Sequence, residues 1–336
     1  MRWLAICACV LAAAAKASYA DPLAASSLPQ DTRWVIHMDV DGARLATPLW
    51  ELARLRLVEP QRAAMMPKLT ILERITGMKL PQDLHDVTLF GSSFDEGAVC
   101  VRIHGPMDQP NVVAFLRNDP EFQQRDYNGH DILRWRDKGR DRLIYAAFAP
   151  GNFAVLSPDP KTIETALDTL DGKSPALKAD SPLAPVPPPV AVTRANPPIF
   201  WMAAEHLSEL PRAQPVESPV LSQIDAASVG LRWANDRAVA ELLVQASSDH
   251  TAQQLQAVAE GVKAFVALSA AEEHAPPRLR LLSGALQQLT VQTDGKTLKG
   301  DWSLDIDKLE ALVNAALPEP PAATTAAPAA TAGKMP

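Results

Sequence analysis

The sequence predicts an α+β protein built from two similar blocks, and three observations predict it. Apolar and polar residues alternate with period two over several short stretches. Turn residues join those stretches as hairpins. Each block then closes on a capped helix with an apolar stripe. Antiparallel hairpins with helices laid against them give an α+β arrangement, not the βαβ alternation of a parallel sheet.

The first block covers residues 31–180. Arg33 to Val40 alternates, with Trp34, Ile36, Met38 and Val40 on one face and Arg33, Val35, His37 and Asp39 on the other, which is a strand. A helical region follows, with Thr47 as its cap and Pro48 at its first position, broken by Pro60 and Pro67 and ended by Gly77. Strands are expected over 86–91 and 98–104, a short helix over 110–117, and strands over 131–136, 142–148 and 153–157. Asp159 caps the closing helix, Pro160 opens it, Ile163, Ala166, Leu167 and Leu170 form its stripe, and Gly172 stops it.

A proline-rich connector over 181–198 leads to the second block, residues 199–317. Strands are expected over 199–204, 228–233 and 238–246. The helix over 251–268 has Leu255, Val258, Ala259, Val262, Phe265 and Val266 as its expected stripe. Asp294-Gly295 turns a hairpin between strands 288–292 and 297–304. Asp307 with Glu310 reads as a capping box for a last helix. The shared order, β-α-β-β-α-β-β-α, suggests a duplication. Residues 318–336, rich in Pro and Ala, cannot build a core and read as a disordered tail.

Export is the strongest functional signal. Arg2 precedes an apolar run from Trp3 to Ala15, and Ser18-Tyr19-Ala20 supplies small residues for cleavage, so residues 1–20 read as a secretory signal peptide. Thirteen helical residues span about 20 Å, short of the ~30 Å hydrocarbon core. Cleavage therefore leaves a periplasmic or secreted protein with no membrane insertion. Losing Arg2 and Lys16 reduces the 32 basic residues to 30 against 39 acidic ones, a formal charge of −9. That balance argues against nucleic acid as a partner. Of three cysteines only Cys100 survives, so an internal disulfide is excluded.

His37, Asp39 and Asp41 alternate along the first predicted strand and so share a face, as metal ligands or an acid–base pair would. Same-face neighbours lie about 6.6 Å apart, so a metal there needs further ligands from an adjacent strand, and His85 is a candidate. Asp39 to Gly42 imitates a calcium loop, but Pro48 stands where the bidentate glutamate belongs. Cys100 and His104 share a strand face about 13 Å apart, too far for a nucleophile and its base. The sequence carries no Walker, G-x-G-x-x-G, G-x-S-x-G or H-E-x-x-H motif, so no cofactor is expected. The tryptophans fall in apolar patterns and read as core anchors.

Three stretches carry a resemblance. Trp34-Val-Ile-His37-x-Asp39-x-Asp41, Asp83-Leu84-His85-x-Val87-Thr88-Leu89-x-Gly91 and Ala166-Leu167-Asp168-x-Leu170-Asp171-Gly172-Lys173 resemble an uncharacterised family of exported bacterial proteins. The resemblance implies the fold and the compartment, and it carries no activity or functional residue. The expected function is a non-enzymatic interaction or binding module of the cell envelope, its partner an envelope protein or a small ligand. The rival is a metal-dependent hydrolytic enzyme using His37, Asp39 and Asp41.

Overall fold

The computed structural model describes residues 23–53, 59–184, 198–207 and 223–316. The expected signal peptide over 1–20, the expected tail over 318–336 and most of the expected proline-rich connector lie outside these residues. In chain order the elements are β1 (Trp34–Asp39), α1 (Val40–Leu45), α2 (Thr47–Ala53), α3 (Glu59–Thr76), β2 (Asp86–Gly91), β3 (Val99–His104), α4 (Gln109–Leu116), β4 (Gln123–Tyr127), β5 (His130–Asp137), β6 (Arg142–Ala149), β7 (Phe153–Ser157) and α5 (Pro160–Leu170). There follow β8 (Pro198–Glu205), β9 (Ile224–Ala234), β10 (Arg237–Ala246), α6 (Asp249–Ala270), α7 (Pro277–Leu286), β11 (Thr290–Asp294), β12 (Thr297–Asp305) and α8 (Ile306–Ala316).

The class is α+β, as the alternation predicts, and among the described residues all the strands join one antiparallel sheet of twelve in the order β11-β12-β10-β9-β8-β1-β2-β3-β7-β6-β5-β4. The halves meet where β1 pairs β8, with His37 opposite Trp201. From that seam the strands run outward in matching order, β1-β2-β3-β7-β6 and β8-β9-β10-β12-β11, and the β4–β5 hairpin extends the first half.

Helix placement does not match between the halves. Following the register from Trp201, one row crosses the whole sheet: Thr290, Asp301, Glu241, Gly230, Trp201, His37, Thr88, Arg102, Val155, Ala147, Ile132 and Arg125. In the first half this Trp201 face is buried under α5, whose Ile163 and Leu167 pack with Val35, Cys100, Ile132 and Val155. In the second half it carries Glu241, Lys299 and Asp301, while α6, α7 and α8 lie on the opposite, Trp302 face. There Leu255 and Ala259 of α6 pack on Val244, Val291 and Leu298.

Trp201 marks the change of covered face. Its indole lies against β9 at Gly230, where an added Cβ would meet the ring at 3.1 Å, and its Nε1 donates to Leu183 O at 3.1 Å. Trp34 and Trp302 likewise donate to backbone carbonyls, of Ser93 and Ala285. Trp201 thus belongs to the core with its N–H satisfied, whereas Trp34 and Trp302 stay half-buried on the opposite face, their N–H groups also satisfied.

Several elements differ from the sequence reading. The first core reaches past both ends of the predicted block. Leu23 and Leu28 belong to it, and so does Leu183, which the sequence places in the extended connector. Fully burying a leucine contributes about 1.5–3 kcal/mol, enough to pin each segment. The cap of α8 is Asp305, whose Oδ1 accepts from Lys308 N at 3.0 Å, in place of Asp307. On α6 only part of the expected stripe faces inward: Val258, Val262 and Phe265 are exposed, with Leu268 beside them. The sequence is apolar on two sides of this helix, and the sheet covers one.

Candidate functional site

At one end of the Trp201 face the apolar core gives way to a buried polar ladder. Two adjacent rows form it. His37, Thr88 and Arg102 stand side by side on β1, β2 and β3, and Asp39, Asp86, His104 and Phe153 stand side by side on β1, β2, β3 and β7. His37, Asp39, Asp86, Thr88 and Arg102 are all buried. Each strand contributes two same-face polar residues spaced i, i+2, which the pleat turns toward the covered side.

The chain leaves this ladder sooner than expected. β1 ends at Asp39, whose Oδ1 accepts from Gly42 N at 2.8 Å and so caps α1. Aspartate at that position satisfies an orphan N–H of the first turn. Asp41 is thereby carried into the helix and does not share a strand face with His37 and Asp39, which corrects the sequence expectation. Instead Asp41 Oδ2 lies 2.9 Å from His85 Nδ1, while its Oδ1 pairs with Arg44. The backbone fixes His85 as firmly. Its carbonyl accepts from Val40 N and Asp41 N, and its N–H donates to His104 O.

Within the ladder each histidine has a partner. His104 Nδ1 lies 2.9 Å from Asp86 Oδ2, and its ring sits 4.9 Å from that of His85 and 4.3 Å from Phe153. Arg102 stacks over Phe153 at 5.0 Å and donates from Nη2 to Thr88 Oγ1 at 3.3 Å. Thr88 Oγ1 is also 2.9 Å from His37 Nδ1. Burial drives His37 down to about 4, so the ring is neutral, and the Thr88 proton is free to bond Nδ1. Asp86 Oδ1 and Arg102 Nε are buried without a hydrogen-bond partner.

The carboxylates respond in opposite directions. Burial raises Asp39 to about 6, helped by Asp41 and Asp86 and opposed by the Gly42 N–H. Burial also works to raise Asp86, but the hydrogen bond with His104 and the charge of Arg102 outweigh it, and its pKa is lowered. Cys100, one row deeper, is pushed up to about 12 by burial, so it is an inert core thiol.

The structure thus brings His37, Asp39, Asp41 and His85 to one end of the sheet, but into separate bonds. Among the described residues no group of three His, Cys, Asp or Glu is placed to hold a metal ion. Sequence reasoning missed Asp86 and Thr88 and passed over Arg102 and His104. The available signal was two polar residues at alternate positions in each of two otherwise apolar strands.

No protein-family model matches the chain, and no curated protein is detectably similar to it. Two solved structures share its outline weakly, crystal forms I and IV of TP0453. The first has 9% identity, a TM-score of 0.40 and coverage of 88% of this chain and 97% of that one. The second has 10% identity, a TM-score of 0.44 and coverage of 87% and 96%. No helix among the described residues is long and apolar enough to cross a membrane.

Proposed function

We propose that this chain is an exported, non-enzymatic interaction module of the cell envelope, and that it engages a helix of a partner protein through the outer face of α6. Residues 1–20 support the export, with the family resemblance beside them. The observation that carries the interaction is the row Val258, Val262, Phe265 and Leu268, which are 58%, 51%, 70% and 73% exposed. Large apolar side chains in a contiguous exposed row mark interaction surfaces.

The spacing fits a helix. Val258, Val262, Phe265 and Leu268 recur at steps of four, three and three along one helix face, and Ala257, Gly261 and Ala264 beside them are small enough to let a second backbone approach. Over 253–268 the only exposed charge on this face is Glu260, because Lys263 turns back to Glu260 and to Leu289 O. An apolar helix is the complementary occupant.

A photoreactive residue placed at position 262 of the full chain, in the living cell, tests this. The expected result is a discrete adduct with another protein, abolished by Phe265→Glu without a change in melting temperature, since Phe265 supports no core. Adducts with itself alone, or none, would sink the partner-helix reading.

The rival, a metal-dependent hydrolase on His37, Asp39 and Asp41, needs those side chains to converge on one point. Here His37 bonds Thr88, Asp39 caps α1 and Asp41 holds His85. Purified protein is therefore expected to melt at the same temperature with and without chelator. A stoichiometric metal whose removal lowers that temperature would favour the rival.

A further inference from the structure

At the far end of the sheet from α6, and on its other face, β4, β5 and β6 meet the first turn of α5 around a cleft of about 400 Å³. Its floor is Ile132 with the ring of Tyr145, and its walls carry Arg125, Arg134, Lys161 and Glu164. The row Gln123, Arg134, Tyr145 and Ser157 places Arg134 and Tyr145 side by side on adjacent strands. We propose that this cleft binds a small organic anion, a carboxylate or phosphate carried on a flat apolar body.

The charges point to an anion. Three cations face one carboxylate, and Glu164 is already bonded to Arg125. That leaves Lys161 and Arg134, the latter sharing the nearby Glu121 carboxylate with Arg136, which already bonds both of its oxygens. Arg134 Nε is buried with no partner, and Arg134 makes only a long Nη2 bond of 3.4 Å to Glu121 O. Among the described residues neither Lys161 Nζ nor the Tyr145 hydroxyl has a partner either. Beyond that long bond the Arg134 guanidinium, which lines the cleft, is the kind of planar fork that an anionic oxygen best answers.

Two further features agree. Lys161 occupies the first turn of α5, where the helix dipole favours negative charge. The cleft volume lies at the lower end of the range for small-molecule sites, and such sites combine an apolar floor with a few convergent polar groups. The flat Tyr145 ring and Ile132 select a body that stacks, and Arg134 and Lys161 select its charge.

Titration calorimetry of the full mature chain in low salt tests the assignment, with benzoate, phenyl phosphate and inorganic phosphate as probes. Benzoate or phenyl phosphate is expected to bind, and whichever binds tighter separates a carboxylate source from a phosphoryl one. Lys161→Ala and Arg134→Gln should each weaken binding about tenfold. Lys161 is exposed and makes no bond to the described residues, so its variant keeps the fold and decides the matter even if the Arg134 variant does not fold. Binding should also weaken as salt rises. No heat from any probe, or unchanged affinity in Lys161→Ala, overturns the site. Equal affinity for inorganic phosphate and phenyl phosphate overturns the organic body.

Discussion

Replacing Arg102 by methionine is expected to lower folding stability by about 1–3 kcal/mol, the range for leaving buried polar groups without their partner. Arg102 is 4% exposed and lies among Thr88, Phe153 and the Asp86 carboxylate. Its charge is one of the two main influences that keep Asp86 ionised despite burial. Without it, Asp86 relies chiefly on the His104 bond, and its Oδ1 stays unpaired in a drier surrounding. Denaturant unfolding at neutral pH measures the loss.

A second substitution separates charge from packing. Asp86→Asn in the Arg102→Met background removes the stranded charge, so the double variant should be more stable than Arg102→Met alone. Replacing both members of a buried ionic set is often far less costly than replacing one. Strict additivity of the two single losses, or a loss below about 1 kcal/mol for Arg102→Met, would show that Arg102 and Asp86 do not depend on each other.

What the sequence disclosed about the fold follows from where the hydrophobic signal is strong. β1, the hairpin near Asp294-Gly295 and the Asp159-Pro160 start of α5 each combine an apolar pattern with an explicit turn or cap residue, and each element forms. The α5 start is as read, while β1 stops at Asp39 and the hairpin loop slides one residue to Gly295-Lys296, so that Asp294 pairs with Thr297. β4 escapes a sequence reading because Gln123 to Tyr127 is an edge strand with four exposed polar residues and no alternation to detect. Its one marker is the Asn128-Gly129 turn, where both residues take positive φ, 54° and 90°. Leu183 is lost inside a proline run because nothing local distinguishes a leucine in an extended linker from one folded back under Trp201.

The site is half legible for a similar reason. The sequence puts His37 and Asp39 on one face correctly, because strand period is a local property. It misplaces Asp41 because Asp39 ends the strand by capping α1, and a cap and a strand residue look alike until the following turn is known. Asp86, Thr88, Arg102 and His104 each lie in short alternating stretches. Only the register of β1, β2 and β3, which sequence does not state, puts them side by side.

That register also sets two groups of β1 against each other in acid. His37 falls to about 4 from 6.5, so its contribution to stability is complete above pH 6.5 and is lost as pH falls through about 4. Asp39 rises to about 6 from 3.8, so its contribution is complete below pH 3.8 and is lost as pH rises through about 6. Each shift of about two units corresponds to about 3 kcal/mol, and across the window between pH 4 and 6 the two slopes have opposite sign and nearly cancel. The wild-type chain should therefore show a flat profile from these two groups, and single variants should expose each slope. An asparagine at position 39 keeps an acceptor for the Gly42 N–H and cannot ionise. Asp39→Asn is expected to exceed wild type by about 2 kcal/mol at pH 7.5, with the difference vanishing near pH 4, because a protonated aspartic acid and a neutral amide are then equivalent at this cap. His37→Gln should gain stability relative to wild type as pH falls from 6.5 to 4, because no buried imidazole is left to be charged on unfolding. Denaturation midpoints at half-unit pH steps read both curves. Parallel profiles for wild type and Asp39→Asn would mean that Asp39 titrates as an ordinary aspartate and that its cap of α1 carries no buried charge.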